Sequence, residues 1–239
     1  MHSIFVSDLH LTPDRPRATD TFRGLMAGPA AQAQAVYILG DLFEHWVGDD
    51  DLADPFNTAV ADILRALSGK GVALHFMHGN RDFLAGAEFA SRCGARLAPD
   101  PLLLDLYGTR TLLMHGDTLC TDDLEYQKFR AYARDPENQR RFLAQPIEQR
   151  KKVFTGYRAD SEKEKAGKTA EIMDVAPAAV EKILREFDYP RLIHGHTHRP
   201  GRHVHVVDGK SCERWVLTDW YGRAGYLRCD AKGCTAEPL

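Results

Sequence analysis

Five apolar stretches of this chain end in side chains that bind cations. Ser3-Ile4-Phe5-Val6-Ser7 runs into Asp8-Leu9-His10, and Val36-Tyr37-Ile38-Leu39 into Gly40-Asp41. Leu74-His75-Phe76-Met77-His78 runs into Gly79-Asn80-Arg81-Asp82, and Thr111-Leu112-Leu113-Met114 into His115-Gly116-Asp117. Arg191-Leu192-Ile193 runs into His194-Gly195-His196-Thr197-His198. A lone Gly-Asp is usually a turn, and a lone Asp-x-His more often caps one than binds an ion. The recurrence of such endings in this order is what carries information. Residues two apart on an extended end face the same way, which pairs Asp8 with His10 and His196 with His198. Asp41, Asn80 and His115 each add one more. These seven candidate ligands are the deprotonated oxygens and neutral imidazoles that metal sites need. If Asp41 bridges, they divide into two shells of four: Asp8, His10, Asp41 and His198, then Asp41, Asn80, His115 and His196. The mixed oxygen and nitrogen set suits Mn²⁺, Fe²⁺ or Zn²⁺ better than Ca²⁺ or a thiolate-selected metal. Two such ions, roughly 3.5–4 Å apart, clamp a phosphoryl group and activate a hydroxide for in-line attack. The expected chemistry is hydrolysis of a phosphate ester or anhydride without a covalent intermediate. No Gly-x-Ser-x-Gly elbow is present, and no cysteine stands beside an obvious base. His2, His45, His75, His78, His194, His203 and His205 read as structural, although His194 points to the same side as His196 and could support it.

Such endings require buried strands, whose C-terminal edge is where α/β sheets gather ligands. The apolar runs supply them, and the rest of the chain supplies what packs on them. Residues 18 to 34 read as a helix with a break at Gly28-Pro29. Residues 55 to 68 carry apolar side chains at helical spacing (Phe56, Val60, Ile63, Leu64, Leu67), ended by Gly69. A short helix is expected around Gly86 to Cys93, and a hairpin pairs Leu102–Leu106 with Thr111–Met114 about Tyr107-Gly108. Pro177 to Phe187 reads as a helix. A meander follows, with strands at His203–Val207, Arg214–Leu217 and Gly225–Cys229.

A chain of 239 residues is enough for one large domain, 1–239, and an apolar content of 44% is ordinary for a soluble globular protein. The net charge of −3 argues against a general nucleic-acid binder, and nothing calls for an obligatory protein partner. Five scattered cysteines with no Cys-x-x-Cys pair read as reduced thiols in a cytosolic protein. No run approaches transmembrane length. The early position of Asp8 leaves no room for a signal peptide.

Residues 122–188 contain almost no strand signal and read as a helical insertion within the domain. From Tyr126 to Lys168 twelve Lys/Arg stand against six Asp/Glu, so this stretch carries +6 and the remaining chain −9. Phe129, Tyr132, Phe142, Leu143, Ile147, Val153, Phe154 and Tyr157 are interleaved with the charges. Two readings follow: a lid over the strand endings, or a solvated helix pair whose apolar residues face the core.

The ordered endings resemble the calcineurin-like metallophosphoesterase superfamily over nearly the whole chain. Its members usually read Gly-Asn-His-Asp/Glu at the third ending. Gly79-Asn80-Arg81-Asp82 lacks that histidine, which disfavours protein-phosphatase chemistry. Together with Gly79-Asn80-Arg81-Asp82-Phe83-Leu84, three longer strings resemble the branch that hydrolyses UDP-2,3-diacylglucosamine in lipid A biosynthesis: Gly40-Asp41-Leu42-Phe43-Glu44-His45-Trp46-Val47-Gly48-Asp49-Asp50, His115-Gly116-Asp117-Thr118-Leu119-Cys120-Thr121-Asp122 and His194-Gly195-His196-Thr197-His198-Arg199-Pro200. The resemblance implies an α/β (α+β) fold of two facing β-sheets flanked by helices, with the insertion as lid. It implies two Mn²⁺ ions held by the seven ligands, and water attack on the α-phosphorus giving UMP and 2,3-diacylglucosamine 1-phosphate (lipid X). It implies peripheral attachment to the cytoplasmic face of the inner membrane of a Gram-negative bacterium. Asn80 and Arg81 would touch the phosphates, and Asp122, Ser161, Lys165, Lys168 and His196 would contact the acylated UDP-sugar. Two rival readings keep the same endings. One is a soluble phosphodiesterase acting on a non-lipid nucleotide. The other is a non-catalytic scaffold, which loses weight because no ligand is missing.

Overall fold

The computed structural model describes residues 1–156, 172 and 174–239. Its strands lie in two mixed sheets. The first has the order β11 (Gly233–Pro238), β10 (Gly225–Asp230), β1 (His2–Val6), β2 (Ala35–Leu39), β3 (Ala73–Met77), β4 (Ala95–Ala98). The second runs β5 (Leu102–Leu106), β6 (Thr109–Leu113), β7 (Arg191–His194), β9 (Lys210–Val216), β8 (Gly201–Val207). Strands β1 to β4 are parallel neighbours, and so are β6, β7 and β9.

Strands buried on both faces read as unbroken apolar runs because each face has its own core. Ile4, Val6, Val36 and Ile38 face α1 (Pro16–Ala27), α2 (Pro55–Ser68) and α3 (Ala87–Cys93), in a core shared with Phe22, Leu64 and Phe89. The intervening Phe5 and Leu39 face the other sheet and meet Leu113, Ile193 and Leu217. On its far side the second sheet packs Leu112 and Leu192 against Val180 and Leu184 of α7 (Pro177–Glu186). The layers are therefore helix, sheet, sheet, helix.

The insertion follows β6. It consists of α4 (Leu124–Arg134), α5 (Pro136–Leu143) and α6, described over 147–156. Asp123 and Asp135 cap the first two, Asp135 accepting from the N–H groups of Glu137 and Asn138 at 3.0 Å. Neither α4 nor α5 has a buried residue. Arg150 of α6 is the fastener: it is buried, pairs with Asp50 and donates to the carbonyl of Val47. Arg134 donates to the carbonyl of Gly79 at 2.9 Å.

Two expectations need correction. The cysteines are not all free: Cys229 and Cys234, opposite one another across β10 and β11, are joined in a disulfide, while Cys93, Cys120 and Cys212 are buried thiols. Two edge strands, β4 and β11, were not anticipated. No helix among the described residues is long and apolar enough to cross a membrane.

Candidate metal centre

Strand register brings the endings together. Val6 pairs with Ile38 and Leu39 with Met77, so Asp8, Asp41 and Asn80 emerge side by side from the first sheet. Leu113 pairs with Ile193, so His115, His196 and His198 emerge together from the second. Backbone bonds stitch the loops: Asp8 N–H to Gly40 O at 3.1 Å, His10 N–H to Asp41 O at 3.0 Å, and Gly195 N–H to His115 O at 2.8 Å. Asp8, His10, Asp41, His196 and His198 all have positive φ, between 49° and 69°. Non-glycine residues adopt this region at a cost, and such strain concentrates at functional sites. Glycines make the approach possible. A Cβ on Gly79 would overlap the Asp41 carboxylate, and one on Gly195 would overlap Ser7 and Asp8.

All seven sequence-derived ligands converge. Around one focus, His10 Nε2 lies 3.4 Å from His198 Nε2 and 3.7 Å from Asp41 Oδ2, and His198 Nε2 lies 3.5 Å from Asp8 Oδ1. Around the other, Asn80 Oδ1 lies 3.0 Å from His115 Nε2 and 2.9 Å from His196 Nδ1, with Asp41 Oδ1 3.9 Å from His115 Nε2. Asp41 presents one oxygen to each focus. The donor chemistry fits divalent cations. His115 Nδ1 lies 2.8 Å from the carbonyl of Leu39, the place for its N–H, which leaves Nε2 as the nitrogen that binds a cation once its own proton is displaced. Asp8 Oδ1 is buried with no hydrogen-bond partner among the described residues, whereas Asp8 Oδ2 accepts from Ser7 Oγ at 2.6 Å and His196 N–H at 2.9 Å.

Burial and crowding polarise these groups. Burial, reinforced by the charges of Asp82 and Asp8 against that of His115, raises the Asp41 carboxyl to about 7. Burial would raise Asp8 too, but His198, His115 and His10 hold it well below the usual carboxylate range. Burial opposes protonation of His115, yet Asp41, Asp117 and Asp8 raise it to about 9. His196 goes to about 3 through burial and the charge of His115. The carboxylates thus attract positive charge to the middle of the cluster.

Supporting residues that the sequence reading did not single out surround the ligands. Asp82, fully buried, accepts from the N–H groups of Gly79 (2.8 Å) and Leu42 (2.7 Å), tying two ligand loops together. Its place in the same string as Asn80 was the available signal. Glu44 lies 3.6 Å from His10 Nδ1 and accepts from Tyr221 OH at 2.9 Å, while the Tyr221 ring stacks on His10 at 4.9 Å. Asp117 accepts from Tyr126 OH and Arg130 Nε, both at 2.7 Å, which anchors α4 beside His115. His194 is structural, bonded to Gly195 O and Arg214.

The ligands open into a cavity of about 1080 Å³ lined by His10, Asp41, Asn80, His196 and His198 at one end. Leu84, Phe129, Tyr132, Phe142, Val153 and Phe154 make its apolar walls, and Arg81, Lys128, Arg141 and Arg199 its cationic ones. Asp122 is exposed before α4 and is not among the lining residues; Asp123 is. Ser161, Lys165 and Lys168 lie outside the described residues.

Comparison with known proteins agrees with this geometry. The calcineurin-like phosphoesterase family model matches residues 1–200. A UDP-2,3-diacylglucosamine hydrolase of Aromatoleum aromaticum is 55% identical over 98% of this chain and 95% of its own. Proteins of the same name from Stenotrophomonas maltophilia (46%) and Xanthomonas campestris pv. campestris (47%) align over 100% of this chain and 99% of theirs. The chain belongs to the calcineurin-like phosphoesterase family and is a hydrolase with a divalent-metal site.

Proposed function

We propose that this enzyme hydrolyses the pyrophosphate bond of UDP-2,3-diacylglucosamine, releasing UMP and 2,3-diacylglucosamine 1-phosphate in lipid A biosynthesis. The observation that carries the reading is the junction of a seven-ligand cluster with a large cavity whose walls are apolar and cationic in turn. A diphosphate needs the charge and acyl chains need the apolar walls. Close relatives that bear this substrate's name add support.

Two Mn²⁺ ions, held by Asp8, His10, Asp41 and His198 and by Asp41, Asn80, His115 and His196, would supply the charge that stabilises the phosphoryl transition state and generates the nucleophile. The chain's own residues do the rest. Arg81, on the cavity wall with Nε buried and lacking a hydrogen-bond partner among the described residues, offers a forked donor to phosphoryl oxygens. Asn80 would give its Oδ1 to the same ion as His115 and His196, while its amide nitrogen remains for a phosphate. Phe129, Tyr132 and Phe154 exclude water beside the acyl chains. The +6 insertion, with the reading extended to Ser161, Lys165 and Lys168, would face an anionic bilayer, so peripheral attachment to the cytoplasmic face of the inner membrane follows. Among the described residues the lid reading is supported by Phe129 and Tyr132 of α4, which line the cavity, while the half-buried Phe142 of α5 and Phe154 of α6 pack against the core and hold the lid to it.

The test is UMP release with Mn²⁺ from UDP-2,3-diacylglucosamine in detergent against unacylated UDP-N-acetylglucosamine. Release from the lipid alone is expected. Equal release from both would move the protein to phosphodiesterases of soluble nucleotides.

A further inference from the structure

A second, smaller cleft of about 180 Å³ lies beside the large cavity, and Arg81 and Phe154 line both. Its other walls include Thr12, Asp14, His45 and Thr155, and it reaches Glu44, the acid 3.6 Å from His10. The cleft therefore abuts the metal cluster at His10. Its volume corresponds to about six waters at ~30 Å³ each, room for one or two small rings and too little for a pair of acyl chains.

We propose, resting on the function proposed above, that this cleft receives the nucleoside half of the substrate and selects a pyrimidine. The substrate has two unlike ends joined by a diphosphate, and the site has two unlike cavities joined at a guanidinium. With the α-phosphorus at the cluster and the diphosphate along Arg81, the lipid end enters the large cavity and the nucleoside enters the small one. The wall chemistry suits that end. The Phe154 ring offers a stacking face to a base. The Asp14 carboxylate accepts from ribose hydroxyls, a role acidic side chains play in other nucleotide sites. The Thr155 hydroxyl donates to the Lys151 carbonyl at 2.9 Å and keeps its lone pairs to accept from the uracil N–H, while the Thr12 hydroxyl donates to a uracil carbonyl. Ribose and a pyrimidine make two small rings, whereas a purine nucleoside brings three, more than the cleft holds.

The test uses the Mn²⁺-loaded full chain and two probes, UMP and detergent-solubilised 2,3-diacylglucosamine 1-phosphate, by calorimetry. Thr155→Trp, on the exposed face of α6, fills the cleft; it should weaken UMP about tenfold or more, an effect equivalent to about 1.4 kcal/mol. Asp14→Ala should weaken UMP about fivefold through the lost hydroxyl contacts. Both variants should bind the lipid phosphate within about twofold of wild type, and AMP should compete about tenfold less well than UMP for the wild type. Unchanged UMP affinity in both variants, or a parallel loss of lipid-phosphate affinity, would overturn the assignment. The function reading is judged separately, on UMP release by the wild type from the acylated substrate.

Discussion

Asp41 offers one carboxylate oxygen to each half of the cluster, and its neighbours make that carboxylate reluctant to ionise. Asp41→Ala should reduce hydrolysis to background in a protein that still folds, as judged by circular dichroism; Mn²⁺-dependent turnover by the pure variant would remove Asp41 from the site. The direction of its shift fixes the pH dependence. A carboxyl raised to about 7 takes up a proton as pH falls below that value and then competes with a cation. Metal affinity should be roughly tenfold weaker at pH 6 than at pH 8 on account of this one proton. The sign for stability is opposite. A raised carboxylate contributes stability that is present below its unfolded pKa of about 4 and is lost as pH rises through about 7. Chelated protein should therefore gain more in melting temperature on Mn²⁺ addition at pH 8 than at pH 6; equal gains would assign the proton elsewhere. Asp82 acts one step back. Asp82→Ala strips the acceptor from Gly79 and Leu42 N–H groups, and should cost about 10–100-fold in metal affinity, as outer partners of ligands do, while Asp82→Asn recovers part of it. The convergence of the seven candidate ligands was legible because Asp, Asn and His at the ends of apolar runs are rare together. Asp82 and Glu44 were not, since an acid that only orients neighbours looks like any other acid in a chain with thirty-four of them.

Among the elements, the insertion depends on few fasteners. With no fully buried residue in either helix, α4 and α5 rely on Phe142 packed against the core, Tyr126 and Arg130 at Asp117, Arg134 at Gly79, and Arg150 at Val47 and Asp50. Asp50 is partly exposed and can rehydrate, so Arg150→Ala should cost about 1–3 kcal/mol, chiefly the carbonyl bond and the packing of the buried stem. The expected readout is faster proteolysis within the insertion and a raised KM with kcat nearly intact. A fall in kcat alone would mean that the fastener serves the chemistry rather than the lid. The five strands with apolar runs were readable for the same reason that they are buried twice over. The two edge strands were not: Ala95–Ala98 carries a single large apolar residue, and Gly233–Pro238 has little alternation and ends in proline, which edges tolerate. The disulfide was missed because cysteines five apart reveal nothing until hairpin register sets them opposite each other.

For the whole molecule, charge segregation sets behaviour at a surface. A region of +6 on a chain of −3 should draw the protein to vesicles containing anionic phospholipid, each basic residue near the surface adding about 1 kcal/mol. Co-sedimentation should fall steeply as salt rises, since exposed charges are screened, and salt-independent binding would point to insertion of apolar side chains instead. Sheet order has a different consequence, for how the chain is made. β1 leaves the ribosome first, yet one of its two neighbours is β10, residues 225–230, and β11 lies beyond that. Until those residues emerge, the earliest strand keeps an open edge of unpaired backbone groups, a template for any passing chain. His196 and His198 also arrive late. A nascent chain thus stays silent until His196 and His198 emerge, and stays sticky beyond that point until β10 closes the sheet at β1.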